Sequence, residues 1–171
     1  MSEQLLGVII GALATIAAGA VSVLVKTWVI ARRKRSASSS PHPPAYRSPF
    51  GIKITSPGQG AIIAGTVEVS GTYATEPRGA LWLLNVERDR SMFWPQVGQR
   101  IERNRTRKTW RGTSWVGGDA LIVAATAGPE AERLFRYYEK VGRATNQWPG
   151  IEDFPADLMA HDEVWVQHKK E

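Results

Sequence analysis

The sequence predicts one transmembrane α-helix at the N-terminus, a short linker, and a mainly-β antiparallel sandwich with one inserted α-helix at about residues 129–144. Three observations predict it. An uncharged apolar run near the start is long enough to cross a bilayer. A Ser/Pro-rich stretch follows. Beyond residue 50 the chain breaks into short β-branched and aromatic runs punctuated by glycine and proline. The 171 residues thus divide into a tail at 1–4, a membrane helix at 5–30, a linker at 31–49 and a β-rich domain at 50–171.

Leu5 to Val25 reads LLGVIIGALATIAAGAVSVLV, 21 residues without charge or proline. At about 1.5 Å per residue that spans roughly 30 Å of hydrocarbon. Lys26 can snorkel, and Trp28 suits the interface. Arg32-Arg33-Lys34-Arg35 then stops transfer. A cleaved signal peptide carries its positive charges before the apolar run, and here that order is reversed. The basic cluster places the domain in the cytoplasm and the short N-terminus outside. Gly7, Gly11, Ala14 and Ala18 repeat small residues at GxxxG spacing, which favours close packing of one helix on another. Membrane lipid is the first expected partner, and a second copy of the chain or another protein is the next.

The net charge of +6 invites a nucleic-acid reading. Its distribution argues otherwise. Lys26, Arg32, Arg33, Lys34, Arg35 and Arg47 carry it with no acid between them. From Phe50 onward 16 basic residues face 15 acidic ones. There is no cysteine, which excludes disulfides, thiolate metal sites and cysteine nucleophiles, and fits a reducing compartment. Ser36 to Pro49, SASSSPHPPAYRSP, is too polar to bury a core and reads as an extended spacer. Its Pro41-x-x-Pro44 matches a PxxP motif weakly.

Within the domain, Ile52-Lys53-Ile54 alternates, and Ser56 to Gly60 forms a turn. Thr66 to Ser70 is an amphipathic strand. Ala80 to Val86 is apolar on both faces, hence central. Arg88 to Arg90 turns the chain into a hairpin partner, Ser91 to Trp94, ended by Pro95. Trp110 to Trp115 forms a strand interrupted at Gly112, Asp119 to Thr126 another, and Glu163 to Gln167 the last. Between these last two lies the helix. Pro129 opens it, Ala131, Leu134, Phe135, Tyr138 and Val141 share one face, and acids precede bases along it. Asn146 to Ala160 is a loop.

Ile52-x-Ile54-x-Ser56-Pro57-x-x-Gly60 followed by Gly65-x-Val67-x-Val69-x-Gly71 resembles the first two strands of bacterial immunoglobulin-like domains. The later half is similar to the cytoplasmic modules of bacterial membrane-anchored proteins. The residues that carry this likeness are Trp82, Phe93-Trp94-Pro95-Gln96, the helix after Gly128-Pro129, and Asp162-Glu163-Val164-Trp165-Val166. The resemblance implies an immunoglobulin-like β-sandwich acting as a binding or coupling module, and it brings no reaction with it. The chain departs from antibody-type domains in lacking paired cysteines and in carrying a helix before the last strand, which leaves the strand order open.

No nucleophile–base pair, Walker motif, HExxH or GxGxxG appears. His161, Glu163 and His168 can be imagined around a metal, but they read better as surface residues near the chain end. The expectation is therefore no catalytic residues, no metal and no cofactor. The unusual segment is Arg88 to Arg111, with eight basic residues against Asp89 and Glu102. Trp94, Arg103, Arg105, Arg107, Trp110, Arg111 and Trp115 form its candidate ligand set, because guanidinium groups and indole faces together hold phosphates and stack bases. The same arginines also suit anionic headgroups. A head-to-tail assembly against Glu152, Asp153, Asp157, Asp162 and Glu163 is a further possibility. The leading expectation is a membrane-anchored, non-enzymatic binding or sensor module, similar in plan to bacterial signalling and defence effectors that act through a membrane helix. A nucleotide or nucleic-acid receptor using residues 88–115 is the alternative.

Overall fold

The computed structural model describes residues 49–97 and 101–169. The expected membrane helix, with Gly7, Gly11, Ala14, Ala18 and the basic stop at Arg32, Arg33, Lys34 and Arg35, lies outside them. So do linker residues 31–48 and Arg100. Among the described residues no helix is long and apolar enough to cross a membrane.

The described residues are mainly β. In chain order they form β1 (Lys53–Ser56), β2 (Ala61–Ile63), β3 (Gly65–Thr72), β4 (Ala80–Val86), β5 (Phe93–Pro95), β6 (Glu102–Asn104), β7 (Thr109–Val116), β8 (Ala120–Ala127), helix α1 (Pro129–Thr145) and β9 (Leu158–His168). One sheet has the order β1-β3-β7-β6, the other β2-β9-β8-β4-β5. The first stretch of the domain is shared between the sheets. β1 pairs antiparallel with β3, and after the turn at Pro57–Gly60, β2 pairs parallel with β9.

The two sheets meet face to face. Val69, Trp110 and Val116 from one pack against Leu81, Leu83, Ile122, Val164 and Val166 from the other. Each such side chain withdrawn from water contributes about 1.5–3 kcal/mol. Trp110 is fully buried here, and its indole leaves no room for a side chain on Gly71, where a Cβ would meet the ring at 2.4 Å. The second face of the β4–β8–β9 sheet is also apolar, because α1 covers it. Leu84, Val123, Ala125, Leu158 and Ala160 enclose Ala131 and Phe135 from the helix. This explains why β4 and β8 read as continuous apolar runs rather than alternating ones.

The helix appears where its pattern predicts, with Pro129 in the first turn and Asn146 ending it in left-handed geometry at φ 53°. Its N-cap is Gly128, which offers no side-chain acceptor. Asp157 takes that role from the returning loop: its carboxylate accepts from the Glu130 and Ala131 backbone N–H groups at 2.7 and 2.9 Å. Glu132–Arg136 and Glu139–Arg143 pair along the exposed side.

Four expectations need correction. β7 is not interrupted at Gly112, which pairs with Val69 inside an unbroken register. β9 begins at Leu158 rather than Glu163, with an irregularity opposite Ala124 and Ala125. Two strands of three residues, β2 and β6, are present where none was expected. And one strand pairing, β2 with β9, is parallel in a domain expected to be antiparallel.

Candidate functional site

A cleft of about 660 Å³ opens at the end of the sandwich where β4 and β7 finish and β8 begins. Trp94, Trp115, Tyr138 and Trp148 give it aromatic walls, and Glu87 and Asp119 are its charged lining residues.

The aromatic side chains are seated by bare backbone. A Cβ on Gly117 would lie 2.3 Å from the Trp115 ring, one on Gly150 2.8 Å from the Trp94 ring, and one on Gly142 2.2 Å from the Trp148 ring. Each indole thus lies on a glycine that no other residue replaces without moving it. Trp148 comes back onto α1 because Asn146 reverses the chain at the helix end. There it meets the ring of Tyr138 with centroids 5.5 Å apart. Burial pushes the Tyr138 phenol up to about 12, so near neutral pH it remains a neutral hydroxyl.

The main chain of Trp115 is fixed on both sides. Its N–H donates to Gln96 Oε1 at 2.8 Å, while Gln96 Nε2 donates to the Trp94 carbonyl at 3.1 Å. Its carbonyl accepts from Asn85 Nδ2. Asn85 is buried between the sheets and also accepts from Ser114 Oγ at 2.7 Å. The core therefore holds the Trp115 backbone in place, while 63% of the residue's surface is open. The carboxylates are anchored too. Glu87 accepts from Ser91 Oγ at 2.6 Å, and Asp119 from the His168 N–H at 2.8 Å.

The segment from Arg88 to Arg111 does not form one site. Trp94 and Trp115 reach the cleft. Trp110 points into the core, where its Nε1 donates to the Thr72 carbonyl at 3.2 Å, so its faces are closed to a ligand. Arg105, Arg107 and Arg111 border a separate open depression of about 710 Å³ on the outer side of the β1-β3-β7-β6 sheet. Arg111 is paired with Glu102 at 2.6 Å, and that hydrogen bond raises the guanidinium pKa further. Arg103 donates to Glu76 at 3.3 Å and to the Pro77 and Gly79 carbonyls. Alternation along β7 turns Trp110 inward and Arg111 outward; Trp115 shares the outward face with Arg111 and is set apart from it by its place nearer the other end of the strand.

His161 is not on the surface. It is buried, with Nε2 2.8 Å from Thr126 Oγ1 and its ring edge-on to Phe50. Among the described residues no three metal-ligating side chains gather. Among the acids expected to face another protomer, Asp157, Asp162 and Glu163 make contacts within the domain. Asp157 caps α1, Asp162 accepts from the Ile54 N–H at 2.8 Å, and Glu163 pairs with Arg90 at 2.9 Å. The sequence reading missed Asn85, Gln96, Tyr138 and Trp148 as contributors to a cleft. Only Trp148 carried a signal, as an indole in a polar Pro/Gly loop. No protein-family model matches the chain, and no curated protein matches it.

Aromatic walls and two carboxylates suit a neutral or cationic ligand. Indole faces attract cations and stack on flat or ring-shaped groups, and carboxylates complete the match to a basic side chain.

Proposed function

We propose that this protein is a membrane-anchored, single-pass, non-enzymatic binding module with its domain in the cytoplasm, and that the aromatic cleft receives an extended peptide segment bearing a basic side chain. Such a module acts as a sensor or effector, with the N-terminal helix as its output, and a protein partner or a second copy supplies the segment. The observation that carries this reading is the seating of Trp94, Trp115 and Trp148 on three glycines around a cleft whose charged lining residues are acidic. Aromatic side chains in pockets carry much of the binding energy at protein–peptide contacts.

The domain is read as immunoglobulin-like. Its order β1-β3-β7-β6 corresponds to strands A-B-E-D of such a sandwich, and β2-β9-β8-β4-β5 to A′-G-F-C-C′, with α1 lying between F and G. The missing cysteines, and Trp82 facing α1 rather than the inter-sheet core, are departures from antibody domains. The nucleotide alternative loses support because Trp110, the indole beside these arginines, is buried, and the aromatic cleft's charge is of the wrong sign for a phosphate.

The test is a fluorescence titration of the full chain in phosphatidylcholine nanodiscs. The probes are Arg- and Lys-bearing proline-rich peptides, with mono-, di- and cyclic nucleotides alongside. Saturable peptide binding that weakens about tenfold or more in Trp115→Ala and Trp148→Ala supports the reading. Saturable nucleotide binding lost in Arg107→Ala, with no peptide response, overturns it.

A further inference from the structure

The two ends of the sandwich differ in charge and in their relation to the incoming chain. The aromatic cleft lies where Val116 pairs with Gly65. The opposite end is where Thr109 pairs with Thr72. There the first described residues join the fold: the Phe50 carbonyl accepts from the Ala74 and Thr75 N–H groups at 2.8 and 3.0 Å. The adjacent Tyr73 N–H donates to the Lys108 carbonyl at 3.0 Å. The turn between β6 and β7 is thereby tied, one residue away, to the point where the chain enters the domain.

This turn is basic. Arg105, Thr106, Arg107 and Lys108 are exposed, and Arg78 is exposed on the neighbouring loop. Asn104 shapes the turn by accepting from the Arg107 N–H at 3.0 Å. Lys108 holds a left-handed φ of 52°, where glycine or asparagine is at less cost. Glu76 meets Arg103 at 3.3 Å and Arg105 at 3.6 Å, and Glu68 and Glu102 line the depression beside the turn, where Glu102 is taken by Arg111. Among the described residues Arg78, Arg107 and Lys108 join no carboxylate. On the helix side of the same end stand Glu130 and Asp157, so the cationic face is the side of β6 and β7.

We infer that this face, carried by Arg78, Arg105, Arg107 and Lys108, docks on an anionic lipid surface, and that docking turns the aromatic cleft away from the bilayer toward its partner. The inference rests on the membrane-anchor reading, and the turn lies beside the residues at which the chain enters the domain. Exposed basic side chains at a surface of anionic lipid are drawn to it electrostatically, with little requirement for shape.

The chain has no cysteine, so a single introduced thiol is a unique probe position. Thr106→Cys reports the basic turn, and Gly118→Cys, exposed at the cleft end, is the control. The full chain carrying a fluorophore at either position is placed in nanodiscs of phosphatidylcholine, or of phosphatidylcholine mixed with phosphatidylserine, each containing a headgroup-borne quencher. Quenching of the Thr106→Cys probe rises at least about twofold in the serine-lipid discs and falls again in high salt, while the Gly118→Cys probe shows no such rise. Adding Arg105→Gln, Arg107→Gln and Lys108→Gln costs about fivefold in lipid affinity per charge and returns the Thr106→Cys probe to its phosphatidylcholine value. Retention of the chain by the bilayer in alkaline carbonate is measured in parallel. A chain that is retained but shows equal quenching in both discs overturns the lipid inference and leaves the anchor standing. A chain that is released overturns both.

Discussion

Asn85 and Ser114 meet in the middle of the sandwich, the Ser114 hydroxyl donating to Asn85 Oδ1 at 2.7 Å across the gap between β4 and β7. The Asn85 amide then donates to the Trp115 carbonyl, so a buried polar contact between sheets also fixes a wall of the cleft. Asn85→Ala leaves a buried hydroxyl and a carbonyl short of a partner and lowers stability by about 1–3 kcal/mol. Asn85→Asp loses more, since an acceptor then faces the Trp115 carbonyl. Urea unfolding of the full chain in detergent micelles measures both. If Asn85→Ala and Ser114→Ala together cost the sum of the single changes, the two side chains are not coupled.

Asp157, 26 residues downstream of Ala131, supplies the cap that Gly128 lacks. Asp157→Ala should cost about 1–2 kcal/mol, concentrated in α1, and Asp157→Asn clearly less. Gly128→Ala should be worse than its small size suggests, because its Cβ would lie 2.4 Å from the Asp157 carboxylate. Hydrogen exchange of the Glu130 and Ala131 amides gives the local readout. Unchanged protection in Asp157→Ala would show that the cap contributes nothing.

That cap also shows where the sequence was legible. Helix α1 was readable because its signals are local: Pro129, the spacing of Ala131, Phe135 and Tyr138, and the charge order. The Ala80–Val86 strand was readable because both its faces are buried. What could not be read is long-range. Asp157 looked like one of a row of acids until the fold placed it on the helix. β2 and β6, with three residues each, are too short for an alternation to register. Trp110 and Trp115 looked equivalent in sequence and are odd and even members of a pleat whose inward face only β3 and the facing sheet decide. The cleft joins residues of β4, β5, β7, α1 and the loop after it, so no single segment announced it.

The Tyr138 phenol titrates near 12 in the folded chain against 10 for an ordinary tyrosine, because burial disfavours the phenolate. The folded state therefore holds this proton more tightly than the unfolded chain. The associated stability is whole below pH 10 and lost as pH rises toward 12. Tyr73, raised by burial first and then by Glu76, adds a slope of the same sign. Tyr138 is therefore read from the difference between the parent and Tyr138→Phe. Parent stability should fall relative to the variant across this alkaline window, with a slope of at most about one proton. Parallel curves would mean the ring is wetter than the structure shows.

Gly142 separates the cleft's role in binding from the domain's stability. It lies in the last turns of α1, where alanine is favoured over glycine by about 1 kcal/mol. It is also the seat of Trp148, whose ring a Cβ would meet at 2.2 Å. Trp148 sits in an irregular loop with 38% of its surface exposed, so it can swing outward where a backbone atom could not. Gly142→Ala should accordingly leave the melting temperature unchanged or slightly raised, because the helix gains what the ring contact loses. The same change should remove one wall of the cleft and weaken peptide binding about tenfold, as Trp148→Ala does. A substitution that unfolds the domain would show that Trp148 is structural. One that leaves both stability and binding intact would show that the indole plays no part in recognition.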